Sequence, residues 1–368
     1  MKGGRYMYRK IMDFLEEWKN EEHRKPLILQ GARQVGKTYA ILGFGRTHYE
    51  NVAYFNFETN PKLNETFEEN ISPDYLIPIL SHIAGQTIVT EKTLIVFDEI
   101  QLCERALTSL KYFYEERPDY HIIVAGSLLG VAVNRARFSF PVGKVDMKTL
   151  YPMDLEEFMI AMGEKSLVDQ IKKCFETNEP MPSALHDAAM QLYRQYLVVG
   201  GMPECVMQFA ETRDYILIRH TQDTILASYL NDMSKYNNLN EIKKTRLAYD
   251  NITVQLSKKN TRFQYKLIKK GGRASEFENA IEWLCLSGIV SQVYKVEQIR
   301  KPLENYRDID AFKIYVSDLG LLCAKKDIVA NDVLYMVEEL NDFKGGMVEN
   351  YINVQLTING YNTYYWET

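Results

Sequence analysis

Short, largely apolar runs recur through the first half of the chain, and each is followed by polar residues. Leu27–Leu29 leads into a glycine-rich segment, Thr93–Phe97 ends at an Asp-Glu pair, and Tyr120–Ala125 ends at a Gly-Ser pair. A further run, Asn51–Phe57, ends in polar residues that are typical of a turn. Apolar runs without alternation are typical of parallel strands that are buried on both faces. The pattern therefore predicts an α/β domain.

The second half of the chain has the spacing of helices. Residues 213–292 are predicted to be mostly helical. Within residues 276–287 the apolar residues recur with the period of an amphipathic helix: Phe277, Ala280, Ile281, Leu284 and Cys285. Two strand-like segments follow, at residues 288–294 and 312–318. Helices followed by a two-stranded ribbon predict a winged helix-turn-helix.

Breaks in these patterns predict three domains. A polar segment rich in proline separates an α/β domain at residues 1–165 from a helical and winged-helix domain at residues 185–335. A third segment, residues 340–368, begins with a helix and ends on a strand.

Composition restricts the class of protein. The chain has 368 residues, of which 46% are hydrophobic and 25% are charged, as in ordinary globular proteins. No apolar run has the length of a bilayer span, and the N-terminus lacks a signal peptide, so no membrane partner is expected. The five cysteines are widely spaced, which favours a reduced, cytoplasmic location. The net charge of −5 argues against a surface that is basic overall, although a local basic patch remains open.

The glycine-rich segment has the pattern of a P-loop. Gly31 is followed after four residues by Gly36, Lys37 and Thr38, between a predicted strand and a predicted helix. Glycines allow the backbone to approach phosphates, the lysine faces the β- and γ-phosphates, and the threonine hydroxyl ligates Mg²⁺. The alternative is a strand-to-helix turn with incidental glycines. The P-loop interpretation predicts that ATP and Mg²⁺ bind at Gly31, Ala32, Arg33, Gln34, Val35, Gly36, Lys37, Thr38 and Tyr39.

Two carboxylates end the second of the buried runs. Asp98 and Glu99 are predicted at the carboxyl end of their strand, the edge at which open α/β sheets bind ligands. Asp98 is predicted to hold Mg²⁺, and Glu99 to act as the general base or to orient the attacking water. The alternative is an acidic helix cap after a core strand. The preceding P-loop favours the catalytic interpretation.

A serine ends the third run. Ser127 is predicted to contact the γ-phosphate from a position between the other two strand ends. A serine at this position equally suits the cap of a following helix, and both interpretations stay open.

Five segments occur in a fixed order along nearly the whole chain: LILQGARQVGKTYAI, TLIVFDEIQ, IIVAGSLLGVAV, SFPVGKVDMKTLYPMDLEEFM and YLVVGGMPECV. In their order and their residues, these segments resemble those of the prokaryotic AAA-type ATP-binding proteins, which are predicted ATPases with a C-terminal domain of unknown function. The resemblance implies an additional-strand sheet, with the strand before Ser127 inserted between the P-loop strand and the Asp98 strand. It implies Walker A and Walker B roles for Lys37, Thr38, Asp98 and Glu99, and it supplies no defined cellular task.

The same resemblance implies that residues 340–368 are the start of a nuclease-like domain, with an acidic residue at Glu349. The other acidic and lysine residues of such a site would lie beyond Thr368, so this chain does not assemble a two-metal nuclease site. Whether the chain is naturally short or a fragment stays open.

Basic residues cluster between Lys258 and Arg273, just before and within the predicted winged helix. This basic cluster consists of Lys258, Lys259, Arg262, Lys266, Lys269, Lys270 and Arg273. Such a cluster suits the phosphate backbone of double-stranded DNA, and it equally suits the solvated face of a domain that contacts only proteins.

The leading hypothesis is an ATPase that hydrolyses ATP to ADP with Mg²⁺ and whose nucleotide state moves the winged-helix domain. The alternative is a nucleotide-gated DNA-binding or regulatory switch with little hydrolysis. A protein partner fits both, and the sequence leaves the oligomeric state open.

Overall fold

The computed structural model describes residues 7–126, 140–235, 239–257 and 262–367. These residues form two compact units. One consists of Arg9–Tyr151, and the other consists of Pro152–Thr368 together with the residues before Arg9. The division lies at Tyr151 rather than near residue 165, because the helix Leu155–Ala161 packs on the helices that follow it.

The first unit is built on a parallel five-stranded sheet. Its strands are β1 (Leu27–Gln30), β2 (Asn51–Asn56), β3 (Thr93–Asp98), β4 (His121–Gly126) and β5 (Asp146–Thr149). Their order across the sheet is β2-β3-β4-β1-β5. The strand β4 therefore lies between the P-loop strand β1 and the Asp98 strand β3, and the inserted strand that the resemblance implied is confirmed.

Helices accompany this sheet in the alternation expected of an α/β unit. They are α1 (Ile11–Asn20), α2 (Lys37–His48), α3 (Lys62–Glu69), α4 (Pro73–Ala84) and α5 (Glu104–Glu116). Every residue of β3 and β4 is buried, which explains why both strands have unbroken apolar runs. Because neighbouring strands run parallel and in register, with Gln30 beside Gly126 and Asn56 beside Asp98, their carboxyl ends form one edge.

The second unit is mainly helical. Its helices are α6 (Leu155–Ala161), α7 (Lys165–Thr177), α8 (Ser183–Val199), α9 (Pro203–Thr212), α10 (Tyr215–Lys235), α11 (Leu239–Ser257), α12 (Tyr265–Ile268), α13 (Ala274–Leu286), α14 (Leu319–Lys325), α15 (Ala330–Leu334) and α16 (Asn341–Ile358). Its strands are β6 (Val290–Val296), β7 (Arg307–Val316) and β8 (Tyr364–Tyr365). The strands β6 and β7 pair antiparallel directly after α13, so the expected two-stranded ribbon is present.

The third predicted domain does not form a separate unit. The helix α16 packs on α11 and β7, and β8 pairs with β6. Asn350, which is fully buried, exchanges two hydrogen bonds of 2.8 Å with the backbone of Val316. Residues 340–368 therefore complete the second unit, because their buried polar and apolar groups find partners there.

A buried carboxylate joins two distant segments of the second unit. Asp318 accepts hydrogen bonds from the backbone of Gly201 at 2.6 Å and of Leu321 at 2.8 Å, which caps α14. A Cβ at Gly200 would lie 2.3 Å from the Asp318 carboxylate, so only glycine fits there. The helix α8 ends at Val199, and Gly200 directly after it is required by this close packing.

Within the described ranges, no helix combines the length and the apolar character that a membrane span needs.

A histidine is buried at the amino end of β4, opposite the edge that carries the P-loop. His121 Nδ1 lies 2.7 Å from the hydroxyl of Tyr49, and the ring packs edge-on against Trp18. Burial, reinforced by the positive charges of Arg24 and Lys19 and opposed by Asp119, lowers the pKa of His121 to about 3. The imidazole is therefore neutral in the folded protein at neutral pH.

This burial predicts a loss of stability in acid. In the unfolded chain His121 takes up a proton below about pH 6.5, whereas in the folded chain it stays neutral down to a much lower pH. The free energy of unfolding therefore falls by up to about 1.4 kcal/mol for each pH unit below that value. His121→Asn removes this titration. We expect the unfolding free energy of the wild type to exceed that of the variant most at pH 7.5 and by less at pH 5, in urea titrations of both. A difference that stays constant would mean that the folded chain also protonates His121.

Candidate functional site

The P-loop connects β1 to α2 through backbone angles that ordinary side chains disfavour. Gly31 has a φ of 147° and Gly36 a φ of 88°, and Gln34 also has a positive φ of 66°. A Cβ on Gly31 would lie 2.1 Å from the carbonyl oxygen of Leu150. The loop therefore lies directly against the segment after β5, and the glycine at its start is required by that close approach.

The lysine of the loop is folded into it. Lys37 is 7% exposed, and its ammonium donates to the carbonyl oxygens of Gly31 at 2.9 Å and of Ala32 at 2.8 Å. Burial lowers the pKa of Lys37 to about 8, although the negative charges of Glu99 and Asp98 oppose this change. A buried ammonium beside the first turn of α2 is a strong attractor for phosphate, because the helix amides and the ammonium are both positive.

A hydrogen bond joins the loop to the Asp98 strand. The hydroxyl of Thr38 donates to Asp98 Oδ2 at 2.8 Å, and the backbone N–H of Glu99 donates to Asp98 Oδ1 at 3.0 Å. A hydroxyl and a carboxylate side by side are the hard oxygen donors that Mg²⁺ prefers. The residues present therefore fit the ion that the P-loop pattern implies.

The second carboxylate is held in a defined place. Glu99 has a φ of 53°, a region that non-glycine residues rarely adopt, and its Oε2 accepts from Gln101 Nε2 at 2.5 Å. Burial raises the pKa of Glu99, and the hydrogen bond from Gln101 opposes that rise. Sequence reasoning missed Gln101, because nothing in its position after a strand marks it as a partner of Glu99.

The other residues predicted to bind the nucleotide differ in how exposed their side chains are. The side chains of Ala32 and Val35 are buried, so only their backbones are available to a ligand, whereas Gln34 and Tyr39 are exposed. Arg33 is partly buried. The strand β4 ends at Gly126 on the same edge, and Ser127 lies outside the described residues.

An arginine that the sequence did not single out supports the loop. Arg9, which is 6% exposed, donates to the carbonyl oxygen of Val35 at 3.1 Å and to that of Tyr151 at 2.8 Å. It therefore ties the loop to the end of the first unit. Its distance along the chain from the P-loop left no signal by which a sequence pattern could have found it.

Two residues of β2 also reach the site. The hydroxyl of Tyr54 donates to Asp98 Oδ2 at 2.7 Å, and Asn56 Nδ2 donates to the Tyr54 oxygen at 3.2 Å. Burial is the main reason that the pKa of Tyr54 rises to about 12, which keeps the hydroxyl protonated. The apolar pattern of the strand gave no indication of this contact.

The described part of the basic cluster lies in the second unit. Arg262, Lys266, Lys269, Lys270 and Arg273 are all exposed. Lys269 pairs with Glu276 at 3.1 Å, which offsets part of its charge. Lys258 and Lys259 lie outside the described residues.

Comparisons with known sequences identify two domains. The profile of the AAA domain matches residues 23–159, and that of a domain of unknown function (DUF8612) matches residues 190–332. No curated protein matches the sequence of this chain.

Among solved structures, the chain is similar to a Walker-type ATPase of Pyrococcus abyssi. The two share 13% identity with a TM-score of 0.53, over 87% of this chain and 96% of that chain. At this identity the similarity shows only the fold. That fold is a P-loop NTPase fold with a parallel sheet and a helical C-terminal region.

Two further structures are more distant. The Aeropyrum pernix ORC1 protein in complex with DNA has 13% identity and a TM-score of 0.32, over 89% of this chain and 92% of that chain. The Thermotoga maritima RuvB Holliday junction branch migration motor has 15% identity and a TM-score of 0.32, over 80% and 88%. At these TM-scores neither bears on the function of this chain.

The buried position of Lys37 predicts a specific loss of binding. Lys37→Ala removes the ammonium that faces the loop, and we expect it to weaken ATP binding by at least tenfold, since hydrogen bonds to charged groups contribute about 1.5–3 kcal/mol each. Lys62→Ala, which removes an exposed lysine of the same unit, is the matched control. Titration with a fluorescent ATP analogue measures both. Retained tight binding in Lys37→Ala would contradict the site.

Proposed function

This chain combines an AAA domain with a C-terminal domain of unknown function, and on that premise we propose that it binds ATP with Mg²⁺ and hydrolyses it to ADP and phosphate. The observation that supports this most is the hydrogen bond of 2.8 Å between Thr38 and Asp98. It joins the P-loop to the carboxyl end of β3, next to a buried lysine and a second carboxylate.

In this proposal the loop amides and Lys37 bind the β- and γ-phosphates, and Thr38 and Asp98 hold Mg²⁺. The ion supplies charge neutralisation for the phosphate oxygens. Glu99 accepts a hydrogen bond from the attacking water and takes up its proton as the water oxygen bonds to the γ-phosphorus. The bond between that phosphorus and the bridging oxygen breaks, and ADP leaves. Burial raises the pKa of Glu99 and hence its proton affinity, which suits a base.

Ser127 completes the site in our proposal. It follows β4, which ends between the P-loop strand and the Asp98 strand. A hydroxyl at that edge suits contact with the γ-phosphate and would distinguish ATP from ADP.

The second unit is proposed to respond to the nucleotide as a winged-helix domain. The helices α11, α12 and α13 are followed by the antiparallel strands β6 and β7, which is the element order of a winged helix. The resemblance of residues 340–368 to the start of a nuclease-like domain adds no activity to this proposal. Glu349 pairs with Lys313 at 3.2 Å, and the same carboxylate oxygen accepts from Tyr315 at 3.2 Å.

A second candidate function is a nucleotide-gated switch that binds DNA with little hydrolysis. The exposed cations between Arg262 and Arg273 support it, because such groups contact phosphates without reading sequence. The helix α13, which would enter the groove in a winged helix, exposes Glu278 and Glu282. These carboxylates would repel phosphates, so this candidate is limited to backbone contacts outside α13.

The catalytic role of Glu99 predicts a separation of binding from turnover. Glu99→Gln keeps the shape of the side chain and removes its basicity, so we expect ATP binding within about twofold of the wild type and turnover lower by about 10²-fold or more. Glu65→Gln removes an exposed carboxylate from α3 in the same unit and controls for the change in charge. Phosphate release and nucleotide binding are measured on all three proteins. Turnover that survives in Glu99→Gln would exclude Glu99 as the base.

The DNA-binding candidate predicts a dependence on salt and charge. Lys266→Glu with Arg273→Glu should weaken binding to duplex DNA, and the slope of log affinity against log salt should become shallower by about 0.9 for each phosphate that the protein no longer neutralises. Lys165→Glu with Lys173→Glu makes the same charge change on α7 and serves as control. Equal weakening in both variants would mean a general effect of net charge. Salt titrations by fluorescence anisotropy, with ATP hydrolysis measured in parallel, separate the two functions.

A further inference from the structure

The carboxylate of Asp98 is more fully hydrogen-bonded than a P-loop pattern alone requires. Its Oδ2 accepts from both Thr38, at 2.8 Å, and Tyr54, at 2.7 Å, and its Oδ1 accepts from the backbone of Glu99 at 3.0 Å. Asp98 is 5% exposed, so these donors supply most of its solvation. Tyr54 is the one side chain among these donors that comes from a strand outside the known motifs.

The direction of the Tyr54 hydrogen bond follows from its surroundings. Asn56 Oδ1 accepts from the backbone N–H groups of Glu58 and Thr59, both at 2.9 Å, and this fixes which end of the amide is the oxygen. Asn56 Nδ2 therefore points at the Tyr54 oxygen and donates to it at 3.2 Å. A tyrosine hydroxyl has a single proton, so Tyr54 gives that proton to Asp98.

The pairing of β2 with β3 holds this arrangement in place. Tyr54 lies beside Val96 and Asn56 lies beside Asp98 in the parallel register. Residues two apart on a strand share one face of the sheet, so Tyr54 and Asn56 lie on a common face next to Asp98. The turn after β2, Asn56, Tyr54 and Asp98 form one continuous chain of hydrogen bonds.

We propose that Tyr54, oriented by Asn56, is a positioning residue that fixes the Asp98 carboxylate in the orientation in which it holds Mg²⁺. Two donors on Oδ2 restrict rotation of the carboxylate, and Oδ1, which has a single backbone donor, is the oxygen that would be available to help hold the ion. This inference rests on the proposed ATP and Mg²⁺ site and adds to it a residue that no P-loop motif contains.

The test is the Mg²⁺ dependence of nucleotide binding in Tyr54→Phe. Without the hydroxyl, the carboxylate loses one of the donors that orient it. We expect the Mg²⁺ concentration for half-maximal binding of a fluorescent ATP analogue to rise roughly five- to tenfold, as for the loss of one hydrogen bond to a charged group. Binding in EDTA, without the ion, should stay within about twofold of the wild type.

Tyr75→Phe is the matched control. Tyr75 also donates its hydroxyl to a carboxylate, that of Glu69, at an exposed place in the same unit. It should leave the Mg²⁺ dependence unchanged. The melting temperature of each variant without ligand, measured by circular dichroism, shows whether a change reflects folding rather than the ion.

A double-mutant cycle decides whether Tyr54 acts through Asp98. In an Asp98→Asn background, Tyr54→Phe should add no further change in the stabilisation by Mg²⁺ and nucleotide in thermal shift assays. An equal effect in both backgrounds would overturn the inference, as would an unchanged or tighter Mg²⁺ dependence in the single variant.

Measurements on the wild type distinguish a failure of this inference from a failure of the proposed function on which it rests. If the wild type binds ATP without any dependence on Mg²⁺, both the proposed site and the role of Tyr54 are overturned. If it binds ATP with Mg²⁺ but does not hydrolyse it, and Tyr54→Phe shifts the Mg²⁺ dependence, the proposed hydrolysis fails and the positioning role is supported.

Discussion

The site depends on one geometric constraint, the parallel register of β1, β4 and β3. It brings the start of α2 and the end of β3, which are 60 residues apart along the chain, within a single hydrogen bond between Thr38 and Asp98. The constraint is maintained by burial, because β3 and β4 have no exposed residue and a slip of register would place their apolar side chains against the wrong neighbours. The loop and the carboxylates are therefore positioned by the core.

Burial also sets the electrostatics of that edge. Removal from water disfavours the charged forms of Lys37 and Glu99, while their opposite charges favour them. The two groups and Asp98 influence one another's charge, and all three are buried or partly buried. Such a set is well suited to binding phosphates, because electrostatic interactions are stronger where water is excluded. The loop carbonyls, Gln101 and Tyr54 keep the charged groups in place.

The second unit uses buried polar groups in the same way for a structural purpose. Asp318 joins the end of α8 to the start of α14, and Asn350 joins α16 to β7. The Asn350 contacts explain why the last segment of the chain belongs to the second unit. On the surface of this unit, the exposed cations from Arg262 to Arg273 lie directly before the exposed carboxylates of α13 in the chain.

The sequence by itself predicted the strands β1 to β4 and the P-loop pattern, but not the strand β5. Unbroken apolar runs identify buried strands, and the glycine, lysine and threonine spacing of the P-loop is local, so both are readable without a fold. The tertiary structure alone decided which residues outside these motifs reach the site. Tyr54, Asn56 and Arg9 reach the site through strand pairing and helix packing, and residues 340–368 join the second unit through Asn350. Side-chain hydrogen bonds between separate elements depend on strand register and on burial. Neither can be predicted from the spacing of residues within one segment.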